Sequence, residues 1–357
     1  MTIAALAHPA VTVLMAVYNG EAFLREAVES ILTQTFKDFE LLVIDDGSTD
    51  GSADIVASFV DPRVLLVRNG KNLGLIATLN RGIELARGAY IVRMDCDDVS
   101  LPERLQRQVD FMEAHPEVGV CGVWYLEFGE RVRRTTRCAC DHDSIRCGTL
   151  FNPVVGHPTV ILRKRLLEEH GLRYDADFGH AEDFRLWAEA LRYCRFANIP
   201  EVLLHYRLHP GQVTSVHAQQ QMESSGRVRR DLLRELGIDP TPEEFEVHQL
   251  LSALTRPVHF PIQNLPVPEQ LARIDAWLCK LKRANDARGI YPEPQFSRML
   301  VERWVGVCVV NFLARGILSP GLFTAPELFR HTGSAWRYAF AFISHRIRTA
   351  LRDSLIS

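Results

Sequence analysis

The sequence has few cysteines, no long apolar run and no strong excess of either charge. Eight cysteines in 357 residues are too sparse for a disulfide scaffold, so reduced thiols in a cytosolic setting are expected. No apolar stretch approaches the roughly 18 uncharged residues of a membrane-spanning helix. Residues 1–10 hold no Lys or Arg, and the apolar run Val11–Val17 breaks at Tyr18-Asn19. That is not the charged start and apolar centre of a secretory signal. The formal net charge is −3, without the basic excess of a dedicated nucleic-acid binder. Several motifs are also missing. No G-x-G-x-x-G follows the first apolar run, and there is no G-x-x-x-x-G-K-[ST], which disfavours dinucleotide and P-loop chemistry. G-x-S-x-G and H-E-x-x-H are absent too, so a serine hydrolase or a zincin has no support.

What is present is an ordinary globular composition, 47% hydrophobic and 24% charged. The length suits two domains, or one α/β domain with an appended region. Val11–Val17, Leu41–Ile44, Val64–Val67 and Ala89–Met94 read as short buried strands. Helical spacing is predicted between them over Glu21–Gln34, Ser52–Phe59 and Leu75–Ala86, with Ser48 or Asp50 able to cap the second. This alternation implies right-handed crossovers and a largely parallel sheet. Ligands of such sheets sit beyond the carboxyl ends of the strands. Three of those ends carry polar or acidic clusters, Tyr18-Asn19, Asp45-Asp46 and Asp95–Asp98. They should converge on one edge.

Further along, Pro102–Ala114 and Ala181–Tyr193 read as helices, and Val118–Trp124, Thr159–Leu162 and Val202–Arg207 as strands. After about Ser215 the texture changes to Arg-bearing helical segments broken by prolines. The expected domains are therefore 1–215 and 216–357. Glu302–Leu313 is apolar nearly all round, as in a buried helix. Trp336, Phe340, Ile343, Ile347 and Leu351 form one helical stripe, and Leu328–Arg352 carries five Arg and no acid. Such a helix fits an anionic membrane surface, or a docking face against the catalytic part or a second subunit.

Asp95-x-Asp97 at a strand end offers two hard oxygen ligands, suited to Mg²⁺ or Mn²⁺ bridging to a diphosphate. The bland alternative is a pair of acids that merely ends a strand in solvent. Asp183, in the first turn of a predicted helix, is either a general base or a cap. His157 and His209 each precede a proline and are either loop residues or site residues. His209 follows the last strand toward the same edge, and His157 is a second candidate for a site role. Cys138-x-Cys140-x-His142-x4-Cys147 matches no common zinc spacing, so an ordinary loop is the better reading.

Eight motifs stand in order over roughly residues 9–215. They are Val11-x-Val13…Tyr18-Asn19, Gln34-Thr35-Phe36-x-x-Phe39-Glu40, Asp45-Asp46-Gly47-Ser48-Thr49-Asp50-Gly51 and Asn72-Leu73-Gly74. Then come Arg93-Met94-Asp95-x-Asp97-Asp98, Asn152-Pro153…His157-Pro158, Ala181-Glu182-Asp183 and Tyr206-Arg207-x-His209. Together they resemble the family 2 glycosyltransferases. The resemblance implies the GT-A fold: an α/β, Rossmann-like, mostly parallel sheet flanked by helices, here with a mostly helical C-terminal region. It also implies a metal-dependent, inverting transfer of a hexose-type sugar from a nucleotide-diphospho-sugar, with a UDP-sugar as the expected donor. The implied acceptor is a hydroxyl of a glycan or a lipid-linked glycan, in bacterial surface polysaccharide assembly. Ala16, Tyr18 and Glu21 would line the nucleotide pocket. Asp46 would accept a hydrogen bond from the base, with Lys71 and Asn72 nearby. Asp95 would lie near the ribose and the metal, Asp97 would be the principal ligand of Mn²⁺ or Mg²⁺, and His209 a further ligand or diphosphate contact. Asp183 would be the catalytic base. Cys96 stands where the family more often has Ala.

Two other functions compete. A sugar-nucleotide-forming nucleotidyltransferase shares the acidic metal ligands, but no Gly-rich, basic phosphate loop follows the first strand. A degenerate glycan- or nucleotide-binding subunit is disfavoured because Asp46, Asp95, Asp97 and Asp183 are all present. The charge also divides unevenly. Residues 1–214 hold 23 Lys and Arg against 30 Asp and Glu, a balance of −7, and residues 215–357 hold 18 against 14, a balance of +4. The expected setting is the cytoplasm, at the inner face of the membrane if the basic stripe binds lipid.

Overall fold

The computed structural model describes residues 8–130, 132–212, 217–253 and 268–315, with Leu328 and Arg330. The stripe from Trp336 to Leu351 lies outside the described residues. One compact unit runs up to Ile145 and includes Pro153–Ser225. The other joins Arg146–Asn152 to the described residues from Gly226 onward.

The first unit is built on a nine-stranded sheet. Strands β1 (Val11–Val17), β2 (Phe39–Asp45), β3 (Val64–Arg68) and β4 (Tyr90–Asp95) lie parallel in the order β3-β2-β1-β4. Helices α1 (Glu21–Leu32), α2 (Ser52–Ala57) and α3 (Leu75–Leu85) join them in turn. The apolar runs form strands because both faces of the sheet are covered. Val11, Val13 and Met15 of β1 pack with Leu24, Val28 and Ile31 of α1. Leu14 points the other way, into a cluster with Leu79 and Ile83 of α3. Each such fully buried side chain contributes about 1.5–3 kcal/mol.

Beyond β4 the chain forms β5 (Val99–Ser100), α4 (Arg104–Ala114), β6 (Val118–Phe128), β7 (Arg133–Thr136) and α5 (His142–Thr149). It continues through β8 (Ile161–Arg163), α6 (Lys164–Glu169), α7 (Glu182–Ala190) and β9 (Arg195–Arg207). β8 is antiparallel to β4 and β6, whereas β9 runs parallel to β6. The expected last strand, Val202–Arg207, is only the second half of β9. Pro200 ends the sequence pattern, but the pairing resumes past it: Ile199 lies opposite Val123 and Val202 opposite Trp124. That irregularity is how a proline is tolerated within a strand. β7, with the sequence RRTT, has no apolar alternation to announce it. His142 and Cys147 of the Cys/His stretch lie on α5 rather than in a loop, and His142 Nδ1 accepts the Phe196 N–H at 3.1 Å.

The second unit is helical, with α8 (Ala218–Glu235) entering it, then α9 (Pro242–Ala253), α10 (Pro268–Arg288) and α11 (Gln295–Arg315). Its interior holds His248, fully buried and stacked on Phe151 with ring centroids 4.5 Å apart.

Candidate active site

The parallel register sets the site. Val17 lies opposite Asp45, and Ala16 lies opposite both Ile44 and Asp95, so the carboxyl ends of β1, β2 and β4 share one edge. The loops after β1 and β2 are laced together by reciprocal hydrogen bonds. Asn19 holds a left-handed backbone, φ 52°; its N–H donates to Ser48 Oγ and its Oδ1 accepts from the Thr49 N–H. The Glu21 carboxylate accepts from the Gly51 N–H at 3.0 Å, while the Glu21 N–H donates to Asp50 at 3.1 Å. The cap position of α2 falls on Gly51, and Asp50 takes the Ser52 N–H. Ala16 is half-buried, and Tyr18 is exposed above this pair of loops.

Asp46 is buried and accepts three hydrogen bonds. Its Oδ1 takes Asn69 Nδ2–H at 2.6 Å and the Leu73 N–H at 2.9 Å, and its Oδ2 takes the Gly74 N–H at 2.9 Å. This carboxylate therefore anchors the loop that displays Lys71 and Asn72. Gly47, at φ 75°, completes the seat: a Cβ there would stand 2.6 Å from the Lys71 carbonyl carbon. Only glycine fits such a turn.

At the end of β4, Asp95, Asp97 and Asp98 each bring one oxygen within 4.8 Å of the others. Two buried guanidinium groups lie behind them. Arg93 forms an ion pair with Asp95, and Arg104 donates to the carbonyls of Arg93 and Pro158 at 2.9 and 2.7 Å. Burial pushes the Arg104 pKa down to about 9. Burial also opposes the charge on Arg93, but the Asp95 carboxylate overrides it and holds that guanidinium above its usual range. Asp98 is driven well above the carboxylate range by burial, then by repulsion from Asp95 and Asp97. Its Oδ1 accepts the Arg207 N–H at 2.9 Å, but its Oδ2 is buried with no hydrogen-bond partner. His209 Nε2 lies 2.9 Å from Asp97 Oδ2.

A hard divalent cation fits this set. It prefers carboxylate oxygens, and it would relieve both the like-charge crowding and the orphaned Asp98 oxygen. The sequence reading gave Asp98 no role; an acid followed by a second acid carries no sign of which one turns inward. Arg93 did leave a signal, a lone cation inside the apolar strand YIVRMD.

Asp183 is the second residue of α7, whose N-cap position is Ala181. It therefore stands inside the first turn and not at the cap position, and its carboxylate accepts the neighbouring Phe184 N–H at 2.7 Å. Glu182 is buried, and its pKa is pushed up to about 7, by burial first and then by repulsion from Asp183. It also feels Arg93 and Asp95, so the start of α7 and the acidic cluster share one electrostatic environment. His157 is held as a neutral ring by burial, with Nε2 2.8 Å from the Tyr174 hydroxyl and its ring edge-on to Trp187.

A curled, mostly parallel sheet with acids gathered at its carboxyl edge, followed by a helical region, is the GT-A architecture of glycosyltransferases. In solved structures it is matched by residues 1–349 of S. aureus TarS in complex with UDP-GlcNAc, at TM-score 0.57 and 19% identity over 90% of this chain and 91% of that one. The sequence profile described as Glycosyl transferase family 2 matches residues 12–171. An uncharacterized glycosyltransferase of Haemophilus influenzae is 33% identical over 248 residues, 65% of this chain and 76% of the relative. The chain belongs to glycosyl transferase family 2. A further relative is the Escherichia coli UDP-Glc:alpha-D-GlcNAc-diphosphoundecaprenol beta-1,3-glucosyltransferase WfaP, 26% identical over 64% of this chain and 87% of that protein.

Proposed function

We propose that this glycosyltransferase is an inverting, metal-dependent enzyme. It moves a hexose-type sugar from a UDP-linked donor to a hydroxyl of a lipid-linked glycan, in bacterial surface polysaccharide assembly at the inner face of the membrane. The observation that carries the reading is the crowded acidic edge, where three carboxylates each bring an oxygen within 4.8 Å of the others and one of these acids, Asp98, keeps a buried oxygen without a hydrogen-bond partner. The names of WfaP and of the TarS complex support the donor and acceptor classes.

Ala16, Tyr18 and Glu21 line the nucleotide pocket, and Asp46 shapes it by holding the loop that carries Lys71 and Asn72. Asp95 faces the ribose and the metal. Asp95, Asp97 and His209 hold Mn²⁺ or Mg²⁺, with Asp98 beside them. When bound, such a cation neutralises charge that builds on a departing diphosphate. Asp183 accepts the proton of the acceptor hydroxyl as that oxygen bonds to the anomeric carbon and the bond to the diphosphate oxygen breaks on the opposite face. No covalent sugar–enzyme link is needed, so one base suffices. The region from 216 to 357 provides the acceptor, oligomer or membrane contact, consistent with its charge of +4.

A panel of nucleotide sugars with Mn²⁺, read by thermal shift, tests the reading. Stabilisation by UDP-sugars that vanishes with Asp97→Ala is expected; an Mn²⁺-independent response unchanged by the substitution would sink it.

A further inference from the structure

We infer that Arg207 is the positioning residue of the carboxylate loop: its side chain ties the backbone of Asp97 to α1 while its own N–H holds the Asp98 carboxylate, so that the acidic side chains face one point. Arg207 ends β9, opposite Phe128 of β6. Its main-chain N–H donates to Asp98 Oδ1 at 2.9 Å, and its Nε–H donates to the Asp97 carbonyl at 2.8 Å. Its Nη2 reaches the Glu26 carboxylate on α1. The guanidinium centre sits 4.6 Å from the ring of Phe23 on one element and 4.6 Å from that of Phe128 on another. Phe23 also packs on His209, ring centroids 4.9 Å apart.

The two rings fix the plane of the guanidinium, and its edge then meets the loop and α1 in set directions. The contact to Asp97 is to the main chain, which leaves the Asp97 carboxylate to His209 and to a cation. One side chain thus couples the loop, the last strand and the helix that follows Tyr18 and Asn19. Groups that orient ligands in this way typically change metal affinity by about 10–100-fold.

The inference rests on the metal-dependent reading, and the test separates the two. Mn²⁺ alone is titrated into the full chain and followed by electron paramagnetic resonance, with thermal melting of each variant as a fold check. Arg207→Lys keeps the charge and loses the planar donor edge. Its affinity should fall about tenfold with an altered bound-Mn²⁺ signal, and Glu26→Gln should lose a few-fold. Equal affinity and signal in wild type and Arg207→Lys would overturn the inference and leave the metal reading standing. Absence of saturable Mn²⁺ binding to the wild type would overturn both. If Arg207→Lys does not fold, unchanged affinity in Glu26→Gln overturns the inference.

Discussion

The two compact units both bury arginine, and they set it beside different partners. In the helical unit, Arg229 donates to the Phe151 carbonyl and to Asn152 Oδ1, and Arg303 donates to the Leu251 carbonyl. His248 Nε2 faces the Leu150 carbonyl while Nδ1 accepts from Trp277 Nε1, which fixes a neutral ring whose pKa burial pushes down to about 3. Each of these contacts is to a backbone or neutral partner. In the sheet unit, Arg93 and Arg104 stand behind three crowded aspartates, one of which keeps a buried oxygen without a partner. A satisfied buried network is scaffold, whereas an unbalanced one holds electrostatic free energy that a ligand can release.

The comparison can be broken from either side. The largest effect belongs to Asp183→Asn, which should lower kcat by roughly 10²–10⁴ while leaving nucleotide affinity within a few-fold; steady-state rates beside calorimetric binding check it, and retained turnover would exclude Asp183 as the base. On the scaffold side, Phe151→Ala removes the ring between His248 and Arg303 and should cost about 3–5 kcal/mol in urea unfolding. An equally large loss of Mn²⁺ affinity in that variant would erase the distinction between the units. Asp98→Asn takes away a buried, crowded acid, so the metal-free chain should hold or gain about 1 kcal/mol while Mn²⁺ binding weakens. Clear destabilisation by that change would make Asp98 scaffold.

A further effect is a matter of pH. Glu182 has its pKa raised from 4.5 to about 7, so its contribution to stability is complete below pH 4.5 and is lost as the pH rises through about 7. Glu182→Gln should therefore gain on the wild type in melting temperature between about pH 5 and pH 8. Parallel pH profiles would remove Glu182 from the strained set.

Much of the sheet was legible because its signals are local. Val11–Val17 is an apolar run broken by Thr12 alone that matches β1 end to end, and Asn19-Gly20 and Gly47 mark the turns that follow two strands. Asp95 and Asp97 were legible as a pair at a strand end. The first half of β9 was not, because Pro200 interrupts the pattern and only pairing with β6 carries the strand through it. Asp46 was legible as an acid at a strand end, but its three internal donors come from residues 23 to 28 positions away, which no local pattern reveals.

The sequence by itself determined the alternation of strands and helices, the edge where their polar ends meet and the family resemblance, since these follow from side-chain period, turn chemistry and motif order. Only the tertiary structure decided that Asp98 turns inward, that Arg207 is boxed between Phe23 and Phe128, and that Arg146–Asn152 belongs with the helices. Those choices depend on contacts between residues distant in the chain, where burial and charge are properties of the assembled neighbourhood and not of any segment read alone.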